Sequence, residues 1–215
     1  LHVAAYHGYD YAIETLVATG TSLDEINTNE GSPLHIATRR GFPRTVAALL
    51  GCDTNRNPRN SRGETALHTA IQEGPFSAEK LNLYYQVIAN LLTAGADPRI
   101  PNNRGQTPLH YAALYGQKKL AAALLADPRT NVNHTDANGR TPLDIAVEQR
   151  NTNTALTLIE HGAEFSPDTD ATIRASLHEL IAFQQQKRAA RIAELTAKYG
   201  TFGPLRILNE EDDSE

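Results

Sequence analysis

Histidine recurs in one local setting along this 215-residue chain, at Leu1-His2, Leu34-His35, Leu67-His68 and Leu109-His110. Four histidines suggest zinc, but a tetrahedral site gathers its ligands around one point at about 2 Å each. Here each histidine belongs to a separate copy of a repeating unit, so the four are spread along a stack. They cannot share an ion. The single cysteine, Cys52, excludes an internal disulfide and a cysteine-rich zinc cluster. It falls at the end of a predicted helix, with no histidine marked as its base, so a structural thiol is expected. The chain has no His-Glu-x-x-His, no Gly-x-Ser-x-Gly and no phosphate-binding glycine loop. No catalytic, cofactor-binding or metal-binding residue is expected. Lys187, Arg188, Arg191 and Lys198 form a basic patch without the interleaved aromatics that base stacking needs.

The elements that carry these residues follow from the period. The Leu-His pairs are 33, 33 and 42 residues apart, and a further copy, Leu143-Asp144, follows after 34. Ala4, Ala37, Ala70, Ala112 and Ala146 follow them, and Gly8, Gly41, Gly74 and Gly116 stand seven residues past the leucine. Thr107-Pro108 and Thr141-Pro142 are helix starts: a hydroxyl cap, then a proline where its missing N–H costs nothing. Leu120, Ala123 and Leu124 set the apolar face of a second helix, and Gly20, Gly95 and Gly162 end such helices. Neither helix can bury its apolar face alone, so neighbouring units must stack.

The strings Gly105-Gln106-Thr107-Pro108-Leu109-His110-Tyr111-Ala112-Ala113 and Gly139-Arg140-Thr141-Pro142-Leu143-Asp144-Ile145-Ala146 resemble the ankyrin repeat. The resemblance covers residues 1 to about 167. It implies an all-α solenoid of helix-turn-helix units joined by β-hairpin-type loops, with extra C-terminal helices. The expected repeats lie near 1–27, 28–60, 61–102, 103–136 and 137–167, the first entered at its leucine. Repeat three carries an insertion at about 75–87, expected to lengthen its second helix from a cap at Ser77, with Phe76 near the tip. Several positions depart from the pattern: Asp53 replaces a helix-stopping glycine, Arg150 replaces the inter-helix glycine, and Asp144 replaces the histidine. Local weakening is expected at each. Residues 168–208 are expected to form a helical cap, one long helix or two, with Leu177 and Ile181 on the covering face. Residues 209–215 form an acidic tail.

Net charge is −5, and five of the last six residues are acidic, so the body holds 20 acids against 20 bases. That balance argues against nucleic acid as a partner. No apolar run reaches the roughly 18 residues of a membrane span. An intracellular, cytoplasmic monomer without cofactor is expected, in a host cytosol if it is a secreted effector. The resemblance implies a non-catalytic scaffold that binds another protein in a concave groove. The implied groove residues are Tyr6, His7, Arg39, Arg40, Gln72, Glu73, Tyr111, Leu114, Tyr115, Glu148 and Gln149. Arg39 and Arg40 would make a cationic zone beside an apolar one at Leu114 and Tyr115. Hairpin tips at Ser61-Arg62, Asn103-Arg104 and Ala137-Asn138 would add to it. The alternative is a targeting module of a larger enzyme or secreted pathogen effector whose catalytic part lies outside this chain.

Overall fold

A computed structural model describes residues 1–27, 31–73, 78–167, 169 and 171–199. It gives no side-chain description at 78, 79, 178, 180, 184, 188 and 195–199. The Ser77 cap, Phe76 and the acidic tail lie outside the described residues. The chain divides into two units, Leu1–Thr169 and Asp170–Glu215.

The first unit is a stack of five helix pairs. The first helices are α1 (His2–His7), α3 (Pro33–Arg39), α5 (Ala66–Gln72), α7 (Pro108–Leu114) and α9 (Pro142–Glu148). The second helices are α2 (Asp10–Ala18), α4 (Pro43–Gly51), α6 (Ala78–Thr93), α8 (Lys118–Leu125) and α10 (Thr152–Glu160). Each first helix packs on the next first helix, and each second helix on the next second helix. The core is therefore a ribbon rather than a ball, filled by Leu34, Leu67, Leu109 and Leu143 from one row and Ile13, Leu49, Leu91, Leu124 and Leu158 from the other.

Short first helices need strong ends. Ser32, Thr65, Thr107 and Thr141 each form a reciprocal capping box with the residue three places on. At the other end the chain turns through a left-handed residue, Gly8, Gly41 or Gly116, at φ 67–74°. Repeat five does this without glycine. Arg150 takes φ 58° and is the only non-glycine residue with positive φ among those described. Asp53, which stands for a helix-stopping glycine, does not adopt the left-handed conformation of such a glycine. Helix α4 instead ends through Cys52 in an extended conformation, and Asp24 of the preceding repeat accepts bonds from Thr54 Oγ1 and Asn55 N.

Among the described residues there is no strand. The hairpins close by paired backbone bonds: Asn60 N to Glu64 O with Gly63 N to Asn60 O, Asn102 N to Gln106 O with Gly105 N to Asn102 O, and Asp136 N to Arg140 O with Gly139 N to Asp136 O. Neighbouring hairpins are tied by Asn103 N to Arg62 O and Ala137 N to Arg104 O. Helix α6 runs 16 residues, against nine in α4 and eight in α8. Two tyrosines fix its lengthened part: Tyr84 donates to Arg39 O in repeat two (2.7 Å), and Tyr85 to Lys119 O in repeat four (2.5 Å).

The second unit contains α11 (Ala171–Tyr199), a single helix of 29 residues rather than two. Phe183 is exposed on it, and Arg191 pairs with Glu194 at 3.1 Å. Arg188 and Lys198 of the basic patch have no described side chains.

Candidate protein-binding surface

The repeated histidines are structural. In repeat two, His35 Nδ1 accepts the Ser32 N–H (3.2 Å), which leaves Nε2 to donate to Glu64 O (2.9 Å) of the next repeat. His68 joins Thr65 N to Gln106 O in the same way, and His110 joins Thr107 N to Arg140 O. Each ring caps its own helix and clamps the following hairpin, so no nitrogen remains for a metal. Burial keeps these rings neutral. It lowers the pKa of His35 and holds His68 and His110 down at about 4, against the backbone carbonyls that would raise them. In repeat one, His2 Nε2 is buried without a hydrogen-bond partner among the described residues.

Asp144 does not weaken repeat five as expected. Its carboxylate accepts from Thr141 N (2.8 Å), Ser166 N (3.2 Å) and Thr169 Oγ1 (2.5 Å). A carboxylate cannot donate, so it seals the joint by receiving N–H and O–H groups where histidine would have served a carbonyl.

A second recurrence lies seven residues before the motif leucine, at Asn27, Asn60, Asn102 and Asp136. Each side-chain oxygen accepts backbone N–H groups of its own hairpin: Gly31 for Asn27, Arg62 and Glu64 for Asn60, Arg104 and Gln106 for Asn102, Asn138 and Arg140 for Asp136. Asn and Asp suit this job because a short acceptor can reach the residue two places on. The signal is present in the sequence as a recurrence with the period of the motif leucines.

The C-terminal ends of the first helices bring most of the implied groove residues to the surface. Tyr6, His7, Arg40, Glu73, Tyr115, Glu148 and Gln149 are exposed; Arg39, Gln72 and Leu114 are half-buried. Tyr111 is not a surface residue. It is 8% exposed, and its hydroxyl donates to Glu64 Oε1 (2.6 Å) while accepting from Asn102 Nδ2 (3.1 Å). Burial, then Glu64, pushes its pKa up to about 12. Glu64 is itself 1% exposed. Burial would raise its pKa, but hydrogen bonds from Tyr111, Asn60 and Arg62 outweigh that and hold it below the usual range. The Tyr111 ring meets His68 on one side and Tyr115 on the other, edge to face at 5.3 and 6.0 Å. Sequence reasoning missed Glu64, which reaches Tyr111 from 47 residues away.

The expected cationic zone is also modified. The Arg40 guanidinium lies 4.5 Å over the Tyr6 ring, and Arg39 faces Glu73 at 3.7 Å. Both arginines are therefore engaged. In repeat three, the tip residue Arg62 donates to Gln72 Oε1 (3.3 Å) and pairs with Glu64 (2.8 Å); in repeat five, Arg140 reaches Glu148 (3.2 Å). Elsewhere, a shallow depression of about 610 Å³ between α2 and α4 includes Asp10, Tyr11, Glu14, Arg44 and Cys52. The Cys52 thiol donates to Ala48 O (3.3 Å), a helix-internal bond. Among the described residues, no three His, Cys, Asp or Glu side chains gather closely enough to hold a metal ion. No described helix is long and apolar enough to cross a membrane.

Comparison with known proteins gives one consistent answer. The family profile for ankyrin repeats (3 copies) matches residues 1–81 and 76–169. The mouse ankyrin repeat and SOCS box protein 16 is 36% identical over 125 residues, covering 56% of this chain and 26% of that protein. FPV031 of fowlpox virus, named as an ankyrin repeat protein, is 29% identical over 202 residues, 90% of this chain and 57% of its own length. The ANK repeat-containing protein nipk-1 of Caenorhabditis elegans is 29% identical over 145 residues, 66% of this chain and 23% of its own. The chain spans about a quarter to three-fifths of the length of these relatives.

Proposed function

Because this chain belongs to the ankyrin-repeat proteins, we propose that it holds a partner protein along the exposed ends of α1, α3, α5, α7 and α9. Ankyrin repeats mediate protein–protein interaction, and fold alone does not choose the partner. The observation that carries the reading is Tyr115, which is 45% exposed yet backed by the buried Tyr111–Glu64 network. A partly exposed aromatic on a rigid support has the character of a binding hot spot. Arg39, Arg40 and Leu114 flank it on the same row of helix ends, with Tyr6, His7, Gln72, Glu73, Glu148 and Gln149 completing the surface. The role is non-catalytic: the buried polar groups cap helices and join repeats.

The test compares affinity capture by the intact protein with capture by the double variant Arg39→Ala, Tyr115→Ala. Purified partners that are lost should bind the variant at least roughly 30-fold more weakly per anchor, for hot spots of about 2 kcal/mol. Undiminished binding by a correctly folded double variant overturns the assignment. A second reading, a recruitment module within a larger enzyme or secreted effector, is favoured by one observation: the relatives it matches are much longer than this chain. A full-length transcript that encodes a catalytic motif beside the array would support it.

A further inference from the structure

Repeats three and four present the same two positions with different chemistry. Arg62 and Arg104 occupy equivalent hairpin tips, and Gln72 and Leu114 occupy equivalent ends of α5 and α7. In repeat three the tip guanidinium is satisfied within the protein, by Gln72 Oε1 at 3.3 Å and by Glu64 at 2.8 Å. In repeat four both positions change: Leu114 stands for the Gln72 acceptor, and the neutral Gln106 stands for the carboxylate of Glu64. Arg104 is exposed, and its side chain makes no hydrogen bond or ion pair among the described residues. The array therefore leaves a cation at one tip where its neighbour quenches the equivalent charge.

What lies beside that cation is apolar and fixed. Leu114 is half-buried and Tyr115 is exposed. Asn151 Nδ2 donates to Ala113 O (2.8 Å) and Leu114 O (3.0 Å), which holds the end of α7 in place. Asn102 couples the two halves of the patch. Its Oδ1 accepts the Arg104 N–H (2.8 Å), and its Nδ2 donates to the Tyr111 hydroxyl (3.1 Å), whose ring supports Tyr115. Hairpin and helix end are thus held in register before any ligand arrives, which lowers the ordering cost of binding.

We infer that Arg104, Leu114 and Tyr115 form a subsite for a peptide segment in which an aspartate or glutamate stands beside an aromatic or aliphatic residue. The inference rests on the proposed groove and names the partner chemistry at its fourth repeat. The carboxylate takes Arg104 in a charge-assisted, bidentate bond, and the apolar neighbour covers Leu114 and the Tyr115 ring. A basic segment is excluded from this position by the guanidinium itself. Arg39 and Arg40, the arginines that sequence position alone favours, are weaker candidates for the carboxylate because Glu73 and Tyr6 already occupy them.

A phage-displayed library of random twelve-residue peptides supplies the probe. Selected peptides are measured against the intact protein and against Arg104→Gln, Leu114→Gln, Tyr115→Ala and Arg99→Gln, each checked for unchanged thermal unfolding. Leu114→Gln restores the neutral acceptor of repeat three, which should draw the Arg104 guanidinium onto the helix end while removing its apolar neighbour. Arg99→Gln removes an equal charge from the exposed Arg99, which pairs with half-buried Asp97 away from the tips. The expected result is enrichment of acid-plus-apolar pairs. Affinity should fall about tenfold or more in Arg104→Gln and Leu114→Gln and stay constant in Arg99→Gln. Peptides that lack an acidic residue, ignore Arg104→Gln and are lost in Tyr115→Ala would overturn this inference and leave the proposed groove standing. A selection that yields no peptide sensitive to Arg104→Gln or Tyr115→Ala would overturn both.

Discussion

In repeat three the joint to the next unit is an imidazole. His68 receives the Thr65 N–H and gives a hydrogen to Gln106 O. In repeat five the corresponding joint is a carboxylate. Asp144 receives the Thr141 N–H and then two further donors, Ser166 N and Thr169 Oγ1. The helix-capping half of the job is identical, because both side chains present an acceptor at the same place. The linking half has opposite polarity: the following hairpin offers histidine a carbonyl, while the segment after repeat five offers aspartate N–H and O–H groups. The residue at the joint is matched to the polarity of the next segment, so His-to-Asp is a change of partner and not a defect.

Exchanging the two residues is the strongest way to break this comparison. His68→Asp places a buried carboxylate against Gln106 O, two acceptors with no hydrogen between them. It should cost more than about 4 kcal/mol. Asp144→His keeps the cap but turns a donor toward the Ser166 N–H, and should cost about 1–3 kcal/mol. Urea unfolding of the two variants measures the ratio. Equal costs would show that the joints are interchangeable.

Acid tests the histidine joints without mutation. His68 and His110 titrate at about 4 in the folded chain, below the ordinary 6.5. As pH falls below about 6.5, the unfolded chain takes up protons that the folded chain refuses, so stability is lost. The loss should run from pH 6.5 toward 4 at roughly 1.4 kcal/mol per pH unit for each histidine. Hydrogen exchange in α5 and α7 should accelerate over the same window. A urea midpoint that stays constant from pH 7 to 4.5 would show that the buried rings are not neutral caps.

The smallest effect separates the inter-helix turns of repeats four and five. Gly116 takes φ 67° with Asn151 Oδ1 2.5 Å from where a Cβ would sit, so Gly116→Ala meets both backbone strain and a clash. Arg150 adopts the same conformation without glycine. Arg150→Gly should therefore stabilise the chain, by up to about 1 kcal/mol, less what glycine's flexibility returns to the unfolded state. A melting temperature that falls in Arg150→Gly would mean that the arginine side chain contributes more than its backbone costs.

Much of this protein could be read from its residues because a repeat states its own register. Thr-Pro starts, Leu-His pairs and glycine stops are local signals, acting over three to nine residues, and their recurrence fixed the helix pairs, the stacked architecture and the row of exposed helix ends. The roles of individual surface residues were decided by contacts between units, which local pattern does not encode. Tyr111 became core because Glu64 and Asn102 satisfy its hydroxyl. Arg40 was drawn onto Tyr6 from the preceding repeat, and Arg39 toward Glu73 in the following one. Arg104 lacks the acid partner of Arg62 because the equivalent positions hold Leu114 and Gln106 in repeat four. Helices form from the free energies of neighbouring residues; whether a charged or aromatic side chain is spent or available depends on groups that only stacking brings within about 3 Å.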